Sequence, residues 1–352
     1  MPEKSFDNRL KYIPPEVWAK ITKIDELKGQ WIGGVNFAPQ VLGRLKKTVL
    51  ITSAGASTRI EGARFSDEDV EKLMRGLSIQ KFSDRDKQEV RGYYELLEKI
   101  FDSWKHISFS ENSIKHLHQE MLRYVEKDKL HRGDYKKIEN KVEMIDASGN
   151  SIGKLFDTTA AYLIPKEMQE LVEWTKNALG EKKYHPLLLI GNFIVEFLAI
   201  HPFHDGNGRL SRILTNLLLL KSGYLFMPYI SHEKIIEVNK PDYYMALRKS
   251  QKTFKTKSED ITDWLSFFSN VLLTQSSYAI GLFTKENIEK ILSPKQLAVW
   301  QYLQTVEEAA PEEISRNTLV ARVTVSQSLN KLLQLNKVER IGMGRSTRYR
   351  RI

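Results

Sequence analysis

Two largely apolar stretches, Leu187–Ile200 and Arg209–Lys221, sit either side of the polar segment His201–Gly208. Helices this apolar cannot face water, so both belong at the centre of a domain, with the loop held where they meet. Helical periodicity continues over most of the chain, which predicts a mainly α fold. The longest apolar run, Ile213–Leu220, is interrupted by Thr215 and Asn216 and is too short to span a bilayer. No membrane association is expected.

Elsewhere the pattern predicts helices over Leu42–Ile60, Asp67–Leu77, Asp84–Trp104 and Glu111–Val125, with Ser66 and Ser83 as N-caps. Residues 1–30, with Pro14-Pro15 and the Gly29 and Gly33-Gly34 punctuation, read as an approach segment. Further helices are expected from Pro165 to Leu179 and from Pro241, with 261–290 leading towards a second domain. One β element stands out at 140–156, a hairpin turning at Ser148-Gly149-Asn150. At 352 residues the chain is long for one domain, and three regions are expected. They are 1–110, 111–290 and 291–352.

The chain has no cysteine, which excludes disulfides, thiolate metal sites and cysteine nucleophiles and fits a reducing, cytoplasmic setting. Its net charge of +10 is unevenly spread. The last 37 residues hold nine Lys and Arg against Glu339 alone, a net +8, leaving +2 for the other 315. There the order is helix 294–305, short helix 311–315, helix 324–335 and a Gly-tipped basic hairpin from Val338. That is the pattern of a winged helix-turn-helix, with Ser326, Gln327 and Asn330 exposed. Such a basic module suits DNA or a protein partner.

The chemistry is concentrated in His201-Pro-Phe-His-Asp205-Gly-Asn-Gly-Arg209-Leu-Ser-Arg212. Gly206-Asn207-Gly208 lets successive backbone N–H groups converge at a helix N-terminus, which favours an anion. Arg209 and Arg212 share a face of that helix's first turn. Cations there oppose the helix dipole by roughly 0.3–1 kcal/mol each, so an anionic ligand is expected, and two arginines suggest an oligophosphate. Asp205 offers a hard oxygen to Mg²⁺, and His201 can serve as a base.

The string His-Pro-Phe-x-x-Gly-Asn-Gly-Arg-x-x-Arg resembles the Fic (filamentation induced by cAMP) signature without a departure. The resemblance covers about residues 40–290 and implies an all-α core with a β-hairpin flap. It also implies transfer of AMP from ATP to a Tyr, Thr or Ser hydroxyl of a protein. His201 would take the acceptor's proton, Asp205 would hold Mg²⁺, and Gly206, Asn207, Gly208, Arg209, Ser211 and Arg212 would bind the phosphates. Phe203 would anchor the loop. Val142, Glu143, Met144 and Ile145, with Lys154–Phe156, are the counterparts of the flap that pins the target's backbone. Tyr243 and Tyr244 resemble the segment closing the adenine side, with Gln251 a further candidate.

Ser57-Thr-Arg-Ile-Glu61-Gly62 fits the family's inhibitory pattern, which marks about 42–62 as an inhibitory helix. Glu61 would form a bidentate pair with Arg212 in the place of the γ-phosphate. A carboxylate there could also position water, so removal of AMP is a second expected activity. The resemblance leaves a homodimer open. The competing expectations are a metal-dependent phosphohydrolase, prompted by His204-Asp205, and a DNA-binding regulator whose core is a sensor or inactive. His116 and His118, two apart and on opposite sides of a helix, read as surface residues.

Overall fold

The computed structural model describes residues 5–35, 39–77, 84–139, 141–145, 151–256, 258–334, 337–342 and 347–351. The chain divides into two compact units, Met1–Ile280 and Gly281–Ile352. The first is built from α1 (Ser5–Asn8), α2 (Pro15–Gly34), α3 (Pro39–Ile60), α4 (Asp67–Met74), α5 (Asp84–Ser103) and α6 (Glu111–Met121), then a hairpin, β1 (Lys141–Ile145) and β2 (Ser151–Asp157). It continues with α7 (Ile164–Glu181), α8 (Pro186–Ile200), α9 (Asn207–Lys221), α10 (His232–Val238), α11 (Lys240–Gln251) and the start of α12 (Thr262–Ile291).

The approach segment expected over 1–30 is instead largely helix. Pro15 stands at the first helical position, where a missing N–H costs nothing, and Val17, Ile21, Ile24, Leu27 and Trp31 form one buried stripe. The end of α6 is a second correction: the chain leaves the helix after Met121 rather than at Val125. There Arg123 N–H and Val125 N–H bond three residues back, to Glu120 O and Leu122 O. Ser66 caps α4 as expected, accepting from Asp69 N–H at 3.2 Å, while the Asp69 carboxylate accepts from Ser66 N–H at 3.1 Å. The Ser83 cap and the Ser148-Gly149-Asn150 turn lie outside the described residues. The hairpin is antiparallel, pairing Lys141 with Asp157 and Met144 with Gly153, and two irregularities shift its register.

The apolar pair of the sequence, α8 and α9, forms the centre. From Leu187 to Leu198 every residue of α8 is buried. Two of these are polar and find partners near the N-terminus. Asn192 Nδ2 donates to Phe6 O at 2.9 Å, and Glu196 accepts from Arg9 Nη1 at 2.5 Å. The inhibitory-pattern helix α3 packs against α5 and α10. Arg59 anchors its end, its Nη2 3.1 Å from Glu237 and 2.9 Å from Asp67.

The second unit contains the end of α12, then α13 (Pro294–Leu303), β3 (Glu308–Ala309), α14 (Pro311–Thr318), α15 (Arg322–Gln334), β4 (Val338–Ile341) and β5 (Arg348–Arg351). Its strands form a sheet in the order β3-β5-β4. Val299, Leu303, Ile314, Val325, Leu329 and Leu332 supply its own buried core.

Candidate active site

The loop between α8 and α9 is held at both ends by left-handed backbone. His201 closes α8 with φ +52°, its N–H bonded to Phe197 O, and Gly206 opens α9 with φ +80°. A side chain at Gly206 would press on the Met121 methyl, so the tight turn and the close approach both require glycine.

Inside the loop, Asn207 and Phe203 form a reciprocal pair. Phe203 N–H donates to Asn207 Oδ1 at 2.9 Å, and Asn207 Nδ2 donates to Phe203 O at 2.8 Å. The Asn207 side chain is therefore spent on shaping the loop, leaving its backbone for any ligand. Ser211 is likewise turned inward, its hydroxyl donating to Gly208 O at 2.7 Å. Phe203 is fully buried, as expected of an anchor.

What Phe203 packs on was not legible. His118, from α6, stacks on its ring at 3.8 Å with planes 9° apart. His118 is 1% exposed, which corrects its reading as a surface residue. Gly133 N–H donates to its Nδ1 at 2.9 Å, so its Nε2 carries the hydrogen and donates to Asp205 O at 3.0 Å. Burial lowers its pKa to about 4, keeping it neutral in that role. The missed signal was helical spacing: Ile114, Leu117, His118 and Met121 form the buried stripe of α6.

His201 is half-buried, and its Nδ1 lies 3.3 Å from Leu198 O. That contact fixes the hydrogen on Nδ1 and the lone pair on Nε2. Burial, assisted by the Lys136 cation, lowers its pKa to about 4, while Glu61 and Asp205 pull the other way. At neutral pH the ring is uncharged and able to accept a proton. Lys136 is tied to the same loop by its N–H, 2.9 Å from Pro202 O, and burial lowers its own pKa to about 8.

Asp205 Oδ2 receives two guanidiniums, Arg209 Nη2 and Arg85 Nη2, each at 2.8 Å. Burial would raise its pKa, but Arg209, the Gly206 N–H and Arg85 outweigh it and leave the carboxylate ionised. Arg209 also meets Glu89 at 2.6 Å, and Glu89 accepts from Arg85 at 2.8 Å. Nothing in the sequence marked Arg85 and Glu89, because an Arg–Glu pair four apart on a helix reads as an ordinary surface pair.

Arg212 is buried and carries the inhibitory-pattern contact. Its Nε donates to Ser57 Oγ at 2.9 Å, and its Nη2 donates to Ser57 O at 2.9 Å and to Glu61 Oε1 at 2.8 Å. The pair with Glu61 thus has one prong rather than the expected two. Arg212 Nη1 is buried without a hydrogen-bond partner among the described residues. Glu61 lies so close to the loop that a Cβ on Gly208 would collide with its Oε1. A cavity of about 570 Å³ opens in front, lined by Glu61, Arg64, Arg85, Glu89, Asp205 and Arg209 among others.

The remaining expected residues are more scattered. Tyr243 is buried against Trp264, with ring centroids 5.9 Å apart, and Tyr244 donates its hydroxyl to Ile60 O at 3.3 Å. The first contact joins α11 to α12, and the second joins α11 to the end of α3. Gln251 donates to Val195 O at 3.3 Å, and its Oε1 is buried without a partner among the described residues. Val142–Ile145 lie in β1. No cluster of three or more metal-ligating side chains occurs among the described residues.

A Fic/DOC family model matches residues 108–219, which include α6, the hairpin, α8 and the whole loop. A Fido domain-containing protein of Dictyostelium discoideum is 33% identical over 127 residues, covering 36% of this chain and 80% of that protein. The chain belongs to the Fic/DOC family. A probable protein adenylyltransferase of Aquifex aeolicus is 27% identical over 156 residues, 42% of this chain and 47% of that protein. The chain therefore spans about half the length of that relative. A Fic family protein from Desulfovibrio desulfuricans G20 has the same fold, with a TM-score of 0.62, 23% identity and 97% of each chain covered. Family and fold thus agree with a mainly α Fic core. Among the described residues no helix is long and apolar enough to cross a membrane.

Proposed function

We propose that this Fic protein is a protein adenylyltransferase that moves AMP from ATP to a hydroxyl of a protein acceptor. The observation that carries this reading is the juxtaposition, on one rigid loop, of a neutral His201 with an ionised Asp205 and a helix N-terminus backed by Arg209 and Arg212. In the transfer, the acceptor oxygen bonds to the α-phosphorus as its proton passes to His201 Nε2. The bond from that phosphorus to the bridging oxygen breaks, and pyrophosphate leaves with the electron pair. Backbone N–H groups of 206–208 and the Arg212 guanidinium stabilise the charge on the phosphates, so most of the catalysis is positioning and electrostatics.

The donor set suits Mg²⁺ delivered by the nucleotide: one ionised carboxylate, Asp205, with phosphate oxygens and water supplying the rest. Bound there, the ion would neutralise charge between the α- and β-phosphates.

Glu61 makes the resting site self-inhibited. Its carboxylate covers Gly208 and holds the guanidinium that a γ-phosphate would otherwise pair with. The β1–β2 hairpin, a two-stranded sheet with unpaired outer edges among the described residues, would dock the acceptor's backbone as an added strand. Tyr244, bonded to the end of α3, and Tyr243, packed on Trp264, would close the adenine side. A second activity is favoured by one observation. Glu61 lines the open cavity and uses Oε1 for Arg212, so the carboxylate can also orient a water and remove AMP from modified protein.

The experiment incubates wild type, Glu61→Gly and His201→Ala with Mg²⁺ and ATP labelled at the α-phosphate, with and without host cytosol. Label on protein that rises in Glu61→Gly and disappears in His201→Ala is expected. Folded Glu61→Gly protein that labels nothing, itself included, would overturn the proposal.

A further inference from the structure

The basic second unit takes no part in the site described above, and its own surface points to a different partner. We propose that this unit binds duplex DNA, with α15 lying in the major groove. The order of its elements is helix, short strand, helix, helix and two strands, and the sheet runs β3-β5-β4. Within it α14 and α15 are joined by a turn in which Leu319 adopts φ +55°. Such a helix pair commonly sets its second helix into a groove about 12 Å wide, where N-terminal residues read base edges. At 13 residues, α15 is about 20 Å long, enough to cross that groove.

Charge separates this reading from a protein-docking surface. The unit's carboxylates at Glu308, Glu313 and Glu339 are occupied by the strand arginines. Arg348 meets Glu308 at 2.8 Å and Glu313 at 3.1 Å, and Arg350 meets Glu339 at 2.6 Å. The two cations flanking the turn, Arg316 and Arg322, are exposed and have no ion-pair partner among the described residues. They are the groups that would meet phosphates on either side of an inserted helix. The helix contains no acidic residue. Its inner face is Val325, Ser328, Leu329 and Leu332, while Val323, Ser326, Gln327 and Asn330 face outward. Two amides capable of paired hydrogen bonds to adenine, beside an exposed valine able to contact a thymine methyl, make a base-reading surface. A solvated helix would ordinarily mix charges of both signs here.

The test uses the full chain and a labelled pool of random duplexes of about 30 base pairs, long enough for a half-site and its flanks. Binding is followed by fluorescence anisotropy while salt is raised. Wild type should bind at low salt with an affinity that falls steeply as salt rises. Arg316→Ala with Arg322→Ala should weaken binding at least about tenfold and make the salt slope shallower by about two. Both substitutions are exposed, so folding should survive, and AMP transfer should be unchanged. Selection from the pool should enrich a sequence that Gln327→Ala no longer prefers. Three results would each overturn the proposal: no duplex binding by wild type, an arginine variant with unaltered affinity and slope, or equal binding to heparin with no sequence enriched. Loss of AMP transfer in wild type would leave these readouts intact, so the two proposals fail separately.

Discussion

The loop at 201–212 and the Glu61 carboxylate meet at Arg212, yet they are held in opposite ways. The loop is determined several times over. Asn207 and Phe203 bond each other, His118 stacks on Phe203 and bonds Asp205 O, and Gly206 supplies a left-handed turn that no side chain would fit. The carboxylate of Glu61, by contrast, rests on one hydrogen bond among the described residues, to Arg212, and is about a third exposed. A site built this way keeps its anion cradle in shape before a nucleotide arrives, while the group covering it is cheap to displace. Pre-organisation and regulation are thereby assigned to different elements.

Four measurements would break or sharpen this contrast. The largest effect belongs to His201→Ala, which should cut AMP transfer by roughly 10²–10⁴-fold, the usual worth of a positioned base. Nucleotide binding should hardly change, because the loop is shaped by other groups. A variant that transfers AMP at the wild-type rate would remove His201 from the chemistry.

His118→Ala should come next. It leaves a cavity under Phe203 and two backbone groups unsatisfied, at a cost of about 2–5 kcal/mol in stability. His118→Asn, which keeps a donor and an acceptor, should recover part of that. Urea unfolding of the three proteins decides the matter, and equal midpoints would mean the loop holds its shape without α6.

Glu61→Gly should increase nucleotide affinity by about tenfold, towards the lower end of what a charge-assisted hydrogen bond contributes, since the pair is partly solvated. Titration calorimetry with ATP and Mg²⁺ measures it. Unchanged affinity would show that α3 covers nothing a nucleotide needs.

The fourth measurement is the pH dependence of stability. His118, His201 and His232 all have folded pKa values lowered to about 4, with burial the leading cause in each. Between pH 4 and 6.5 the unfolded chain therefore binds more protons than the folded one. Stability should rise with pH through that window and fall on acidification. Denaturation midpoints at pH 7 and pH 5 check the sign, and a higher midpoint at pH 5 would contradict the burial of these rings.

Legibility followed the range of the interactions. The expected helices over 42–60, 187–200 and 209–221 lie within α3, α8 and α9, because each has a strong local pattern of apolar residues and breakers. Residues 1–30 hold a helix where an approach segment is expected, because Pro15 starts α2 instead of punctuating a loop. His118 is buried, as its spacing with Ile114, Leu117 and Met121 on one face of α6 requires. Arg85, 120 positions from the Asp205 it bonds, carried no local signal at all.

The chain's own sequence determined the mainly α character, the buried helix pair and the anion-binding loop between them. Those depend on periodicity, on glycine's freedom at positive φ and on the unpaired N–H groups of a helix start, all settled within a dozen residues. Only the tertiary structure decided that His118 supports the loop, that Arg85 and Arg209 share Asp205, and that Glu61 meets Arg212 with one oxygen rather than two. Such pairings depend on how helices pack, and no single helix's pattern states which neighbour its polar side chains will find.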